Sequence, residues 1–295
     1  MDAHALDVMF LHQRQLSGVQ SNYLTSWDTQ QLQGLYIVEN RLQNQAHVAG
    51  DVPILLMPGA FDPRRGEYGD RLILSLLNEP GVGSVYELHF RHRGVCGFID
   101  MPSVVQDLQN IALFSTNKPI LIGLSAGAIA LAAGLQAAAR DKAQLNIIAA
   151  LLIGPHLTNH ESIFVWAINR LFKTNARLAK VARHAGHQYM ARNWQHYNEW
   201  YLQSDLAKAV DAMSTAGAIS TSCPAMVETL YFRFETITRD GRNRIDRLLN
   251  ARRVKPYLPG IHRGLFRVPQ AGPAILKFCQ RHLLASSEPI LPLAA

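Results

Sequence analysis

Lys118-Pro119-Ile120-Leu121-Ile122-Gly123-Leu124-Ser125-Ala126-Gly127-Ala128-Ile129-Ala130 is the stretch that decides how this chain folds. Its uncharged apolar run, Ile120 to Gly123, opens after a proline and reads as a strand buried on both faces. The run passes directly into the small-residue segment Ala126 to Arg140, which reads as a helix. Glycines on either side of Ser125 let a strand turn abruptly into a helix without side-chain clashes. A serine on that bend exposes its hydroxyl, and the helix N-terminus behind it offers unpaired N–H groups. Two readings stay open at this point. The serine is a nucleophile beside donors for a developing oxyanion, or the junction is a tight turn that needs small residues and holds a phosphate. A P-loop is excluded, because no Gly-Lys-Ser/Thr follows, and no GxGxxG fingerprint is present.

The same rhythm extends outward from this junction. Leu35 to Val38, Val52 to Met57, Ser84 to Phe90 and Asn146 to Ile153 read as strands. Between them, Arg71 to Leu77 and Val104 to Phe114 have helical spacing, and Pro80-Gly81 stops the first of these. Short runs apolar on every side and separated by helices predict a doubly wound, mostly parallel sheet in three layers. From His156 to Ser222 the pattern changes. This stretch has no proline and only Gly186 and Gly217, and it is rich in Ala, Arg, Gln, Trp and Tyr. It reads as a helical insertion. Beyond it, Leu230 to Thr238 reads as a strand, Arg244 to Arg253 as a helix, Val254 to Leu258 as a strand and Ala271 to Leu284 as a closing helix. The expected organisation is an α/β core over residues 1–155, a helical cap over 156–222 and the rest of the core over 223–295.

The 295 residues are 48% hydrophobic and 17% charged, enough apolar content for a large core and no match to a disordered composition. A formal charge of +7 favours anionic partners in general. Nucleic acid is not expected among them, since no zinc-finger spacing or RNP motif occurs. Cys96, Cys223 and Cys279 are scattered and form no CxxC pair, so neither a disulfide framework nor a metal site is expected. The first residues, MDAHALDVMF, lack the basic start and apolar run of a signal peptide, and no window reaches the ~18 consecutive apolar residues of a membrane span. A cytoplasmic location is the default expectation.

With Gly123-Leu124-Ser125-Ala126-Gly127 placed between strand and helix, the sequence resembles the α/β-hydrolase family, whose nucleophile elbow follows the fifth strand. The resemblance covers most of the chain. It implies that Ser125 is the nucleophile and that the N–H of Ala126 is one oxyanion donor. Met57-Pro58-Gly59-Ala60-Phe61 stands where the family has a His-Gly turn, which implies Ala60 N–H as the second donor. Pro58 replaces the usual histidine there, whose side chain does not supply the donor. Tyr257-Leu258-Pro259-Gly260-Ile261-His262 resembles the family's histidine loop and implies His262 as general base. The acid that follows the penultimate strand is best matched by Asp240, in Thr238-Arg239-Asp240-Gly241, with Glu235 and Asp246 as rivals. Asp240-Gly241 is also a common structural turn pair.

The family's chemistry implies cleavage of a carboxylic ester or thioester of a small or acyl-chain substrate, with neither metal nor organic cofactor. Acyl transfer on the same fold, or a non-catalytic binding protein that keeps it, stay open, because fold analogy does not choose among them. From Ser162 through Asn198 the insertion has no acidic residue, and Arg170, Lys173, Arg177, Lys180, Arg183 and Arg192 supply positive charge. It reads either as a lid whose apolar stripe packs on the core, or as a surface meeting acyl chains, an anionic group or a membrane. Trp166, Trp194, Tyr197, Trp200 and Tyr201 line a pocket or pack a core on these readings. Arg64 and Arg65, just after the oxyanion turn, are candidates to meet an anionic group of the substrate.

Overall fold

The computed structural model describes residues 16–28, 30–43, 51–57, 67–93, 98–140, 145–155, 200, 203–209, 226–232, 242–255, 258 and 271–287. Eight strands form its main sheet: β1 (Val19–Leu24), β2 (Leu35–Leu42), β3 (Ile54–Met57), β4 (Val85–Phe90), β5 (Ile120–Leu124), β6 (Ala149–Ile153), β7 (Met226–Leu230) and β8 (Arg252–Arg253). They lie in the order β1-β2-β4-β3-β5-β6-β7-β8. β1 and β2 run antiparallel to their neighbours, and every pairing from β4 through β8 is parallel.

Among the described residues, five named helices cover the two faces: α1 (Glu67–Leu77), α2 (Met101–Phe114), α3 (Ala126–Arg140), α4 (Arg242–Leu248) and α5 (Ala271–Ser287). Their sides follow from the strand order. A β-helix-β crossover is right-handed, so the direction in which the chain moves across the sheet decides the face its helix covers. From β3 the chain steps back to β4, placing α1 on one face. From β4 to β5 and from β5 to β6 it moves the other way, placing α2 and α3 on the opposite face. The core divides accordingly. Leu55, Met57, Leu121, Ala150 and Leu152 pack with α2, α3 and Ile245 of α4. Ile54, Leu56, Ile120, Ile122, Leu124, Leu151 and Ile153 pack with α1 and α5. Alternate residues of each central strand therefore feed opposite layers, and all residues of β3, β5 and β6 are buried.

The α/β reading of the sequence stands. β5 and α3 fall where the sequence places them, and α2 starts three residues earlier than its spacing suggests, at Met101. Asp100 caps it by accepting from the Ser103 amide at 3.4 Å, with Pro102 in the first turn. Several elements differ from expectation: α1 begins at Glu67 rather than Arg71, and β2 runs to Leu42 rather than Val38. β7 begins at Met226, ahead of the expected Leu230 to Thr238, of which residues 233–238 lie outside the described residues; α4 ends at Leu248 rather than Arg253, and the last strand begins at Arg252 rather than Val254. At β7 and β8 the reason is charge: Glu228, Arg252 and Arg253 are strand residues paired with opposite charges in the fold, so hydrophobicity does not mark them. The edge strand β1, with its exposed Gln20 and Ser21, also carried no apolar signal.

Most of the expected cap lies outside the described residues. Towards its C-terminal side, residues 205–209 are helical. Leu206 and Ala207 are buried in the layer of α2 and α3, and Asp205 pairs with Arg140 of α3 at 2.8 Å. None of the described helices is long and apolar enough to cross a membrane.

Candidate functional site

The direction of the chain reverses between β3 and β5. β3 leads back to β4, β5 leads on to β6, and their helices leave to opposite faces of the sheet. At such a switch point the two strand ends diverge and a crevice opens beyond their carboxyl edge. Met57 and Gly123 are register partners there, so the described ends of the two strands, Met57 and Leu124, lie at the same carboxyl edge. Ser125 sits at this place.

Ser125 has φ +53°, a left-handed conformation that costs a side-chain-bearing residue about 1–3 kcal/mol and persists only where its surroundings impose it. The surroundings are visible. Its N–H donates to the carbonyl of Ile153 at the end of β6 (2.9 Å), and its own carbonyl accepts from Ile129 (3.1 Å) as the first rung of α3. One residue thus terminates the sheet ladder and opens the helix. Because the first i→i−4 bond comes from Ile129, the amides of Ala126, Gly127 and Ala128 precede the helix's own ladder and carry the positive end of its dipole. Ser125 is half-buried, while Leu124 and Ala126 on either side are buried.

The tightness of the turn explains the residues before and after the serine. A Cβ on Gly123 would lie 2.8 Å from both the Gly127 carbonyl oxygen and the Ala128 Cα, each of them backbone. Glycine at 123 is what lets α3 lie directly against the end of β5. Ala126 and Ala128 keep that contact short, and α3 continues with Ala130, Ala132, Ala133 and Ala138 buried.

The carboxyl edge is level across the neighbouring strands. Leu124 is in register with Ile153 and Ile153 with Leu230, and the Gly154 N–H donates to the Leu230 carbonyl at 2.8 Å, as Ser125 does one strand over. Past β7, Phe232 bridges Leu258 in parallel, and the Leu258 N–H donates to the Tyr231 carbonyl at 2.9 Å. The chain therefore departs from this one edge towards residues 58–65, 233–241 and 259–262. Those segments contain the sequence candidates Ala60, Arg64, Arg65, Glu235, Asp240 and His262, all of which lie outside the described residues, as do the cap's Trp166, Trp194, Tyr197 and Tyr201.

Asp246 is described, on α4, and both its oxygens are engaged. Oδ1 accepts from Thr229 Oγ1 (2.7 Å) and Tyr231 Oη (2.9 Å). Oδ2 accepts from Arg253 through Nε (2.8 Å) and Nη2. Burial, followed by the negative charge of Asp246, pushes the Tyr231 hydroxyl well above the usual phenol range, so it stays a donor. On the other face of β7, Glu228 is fully buried and accepts from Arg252 (2.7 Å) and Arg281 (2.6 Å), with His282 Nε2 at 3.7 Å. Burial alone would raise its pKa, but His282 and the two guanidinium groups outweigh it and hold the carboxyl below its ordinary value. Hydropathy reading missed this pair of carboxylate–arginine groups. The signal was present as consecutive arginines, Arg252-Arg253, in a short segment near the end of the core.

The sequence matches no protein-family model and no curated protein. Its structure does match solved ones. A carboxyl esterase from the mycorrhizal fungus Tuber melanosporum superposes with TM-score 0.55 at 12% identity, over 97% of this chain and 99% of that one. An ester hydrolase from the metagenome of Lake Arreo, solved with a derivative of bipyridine phosphonate, gives 0.53 at 16% identity over 96% and 87%. A hyperthermophilic esterase from the archaeon Pyrobaculum calidifontis gives 0.53 at 13% identity over 97% and 92%. The chain has the α/β-hydrolase fold.

Proposed function

We propose that this protein is a serine hydrolase that cleaves a carboxylic ester or thioester of a small or acyl-chain substrate through an acyl-enzyme on Ser125. The observation that carries the reading is the left-handed Ser125, a residue with a side chain where glycine would be unstrained, held at the switch point of the sheet with a helix N-terminus behind it. Strain at that place has a purpose if the hydroxyl must be presented to a substrate. That several esterases share the fold agrees with it.

In this mechanism Ser125 Oγ attacks the acyl carbonyl carbon while His262 takes the hydroxyl proton. The carbonyl π pair moves onto oxygen, and the backbone N–H groups of Ala60 and Ala126 stabilise the resulting oxyanion. Collapse expels the alkoxide or thiolate, which receives the proton from His262. Water, deprotonated by the same imidazole, then attacks the acyl-enzyme and restores Ser125. Asp240 orients the imidazole and stabilises its cationic form. Arg64 and Arg65 are proposed to meet an anionic group on the substrate, in keeping with the chain's +7 formal charge. The reaction needs no metal or organic cofactor.

A fluorophosphonate probe, with the modified peptide located by mass spectrometry, tests this directly. Stoichiometric labelling on Ser125, abolished in Ser125→Ala and slowed at least roughly 100-fold in His262→Ala, is the expected result. A folded wild-type protein that takes up no probe would sink the reading.

A further inference from the structure

β8 pairs with β7 over only two residues, Arg252 against Glu228 and Arg253 against Thr229. An edge strand this short has little stability of its own. Successive side chains of a strand point to opposite faces, and here each of the two finds a carboxylate on its own face. Arg252 reaches buried Glu228, which also takes Arg281 from α5. Arg253 reaches Asp246 on α4, whose other oxygen accepts from Thr229 of β7 and from Tyr231 just beyond it. The Arg253 guanidinium also lies over the Tyr231 ring, 5.2 Å from its centroid. Two neighbouring arginines thus fasten one short strand to β7, α4 and α5 at once.

Beyond the clamp the ladder is broken and then resumed. From Thr229 to Phe232 the chain of β7 advances three residues, while its partner advances five, from Arg253 to Leu258. That offset between the two pairings leaves the register at Leu258 to be fixed from its ends. The clamp at 252–253 fixes one end of it, and His262 follows Leu258 by four residues.

We propose that Arg253 and Asp246, with Arg252 and Glu228 as the second arm, are positioning residues for His262. They hold the register in which β8 delivers the chain carrying the base. The inference rests on the reading of His262 as the base of Ser125. It also gives Asp246 a role other than triad acid: its charge is committed to Arg253, and it acts on the reaction through the backbone. A displacement of about 1 Å in a reacting group can cost on the order of 100-fold in rate, so a register device here has a large lever.

A double-mutant cycle tests it, with the rate of fluorophosphonate labelling at Ser125 and the kcat and KM for p-nitrophenyl acetate as readouts. Arg253→Met and Asp246→Asn are each made in the wild-type and His262→Ala backgrounds, and folding is checked by circular dichroism. In the wild-type background each is expected to slow labelling roughly 10- to 100-fold, with kcat falling and KM within about two-fold. Arg253→Lys, which keeps one charged arm, is expected to recover part of the loss. In the His262→Ala background neither is expected to lower the residual rate further, because the group they position is gone. Equal losses in both backgrounds would mean general loosening of the core and would overturn the proposal, as would full activity in a folded Arg253→Met protein. Asp246→Asn, nearly isosteric, carries the test if Arg253→Met does not fold. Wild type that does not label, or His262→Ala that labels as fast as wild type, removes the underlying reading of Ser125 and His262 instead.

Discussion

The N–H of Ser125 donates to the carbonyl of Ile153, 2.9 Å away on the neighbouring strand. This bond makes the serine the last rung between β5 and β6, although its φ of +53° is incompatible with a strand. The sheet therefore holds the backbone at the moment it turns into α3. The conformation is imposed from outside the residue, by the β6 terminus on one side and the Ile129 bond on the other.

Ser125→Gly should consequently stabilise the protein while removing the hydroxyl. Glycine adopts this conformation freely, and relief of the strain exceeds the added entropy of the unfolded chain, so a net gain of about 0.5–1 kcal/mol is expected. Ser125→Ala keeps the strain and should leave stability near wild type. Urea unfolding of the three proteins at pH 7 measures the difference. A glycine variant less stable than the alanine variant would show that the turn is not strained.

Gly123→Ala should act in the opposite sense. Its methyl would meet Gly127 O and Ala128 Cα at 2.8 Å, and neither can move without lifting α3 off the sheet. A loss of about 2–3 kcal/mol is expected, with probe labelling of Ser125 falling in parallel. Gly272→Ala is the control, because nothing lies within 4 Å of a Cβ at that position in the first turn of α5. There the higher helix propensity of alanine should add about 0.5–1 kcal/mol. Denaturant midpoints for both variants decide it, and a destabilised Gly272→Ala protein would count against the packing drawn for α5.

The centre of this fold was written in hydrophobicity, and its periphery was not. Ile120 to Leu124 and Ala149 to Ile153 are buried on both faces, so burial and sequence carry the same message. The pentapeptide around Ser125 was legible because a close turn permits few residue types. β7 and β8 were displaced in the sequence reading because their stability comes from Glu228, Arg252 and Arg253, whose charges cancel only once α4 and α5 are in place. No local pattern announces a long-range pairing such as Glu228 with Arg281. The turn at Ser125 could be read from its neighbours in sequence, whereas the roles proposed for His262 and Asp240 rest on resemblance, and both residues lie outside the described ones.

Glu228 gives the pH dependence of folding a definite sign. Its carboxyl is held below its ordinary value in the folded protein, so it adds stability above the unfolded-state pKa of about 4.5 and loses it as the pH falls through the depressed folded value. Glu228→Gln removes the charge at every pH and leaves Arg252 and Arg281, both partly solvated, without it. The variant should be less stable than wild type by about 1–3 kcal/mol at pH 7. The gap should narrow steadily below pH 4.5. Chemical unfolding of both proteins from pH 7 down to pH 3 is the measurement, and a gap that widens on acidification would reverse the assignment.

Cys279 should be chemically silent in the native protein. It lies on α5 with no exposed surface, packed in the layer of α1 and α5 beside Phe278 and Ile275. Burial, reinforced by the negative charge of Glu79, pushes its thiol up to about 12. At pH 8 the thiolate fraction of such a group is about 10⁻⁴, and the thiolate is the reacting form. Iodoacetamide at pH 8 should leave the Cys279 peptide unmodified by mass spectrometry until denaturant is added, when modification should reach completion. Because access requires α5 to leave the sheet, the native-state rate should track opening of that helix and rise with denaturant. Arg281, two residues on, holds α5 to Glu228 at 2.6 Å, so Glu228→Gln should speed the modification of Cys279 by loosening the seat of α5. Rapid alkylation of Cys279 in folded wild type would mean that α5 is not seated as described, and an unchanged rate in Glu228→Gln would mean that the carboxylate does not hold it there.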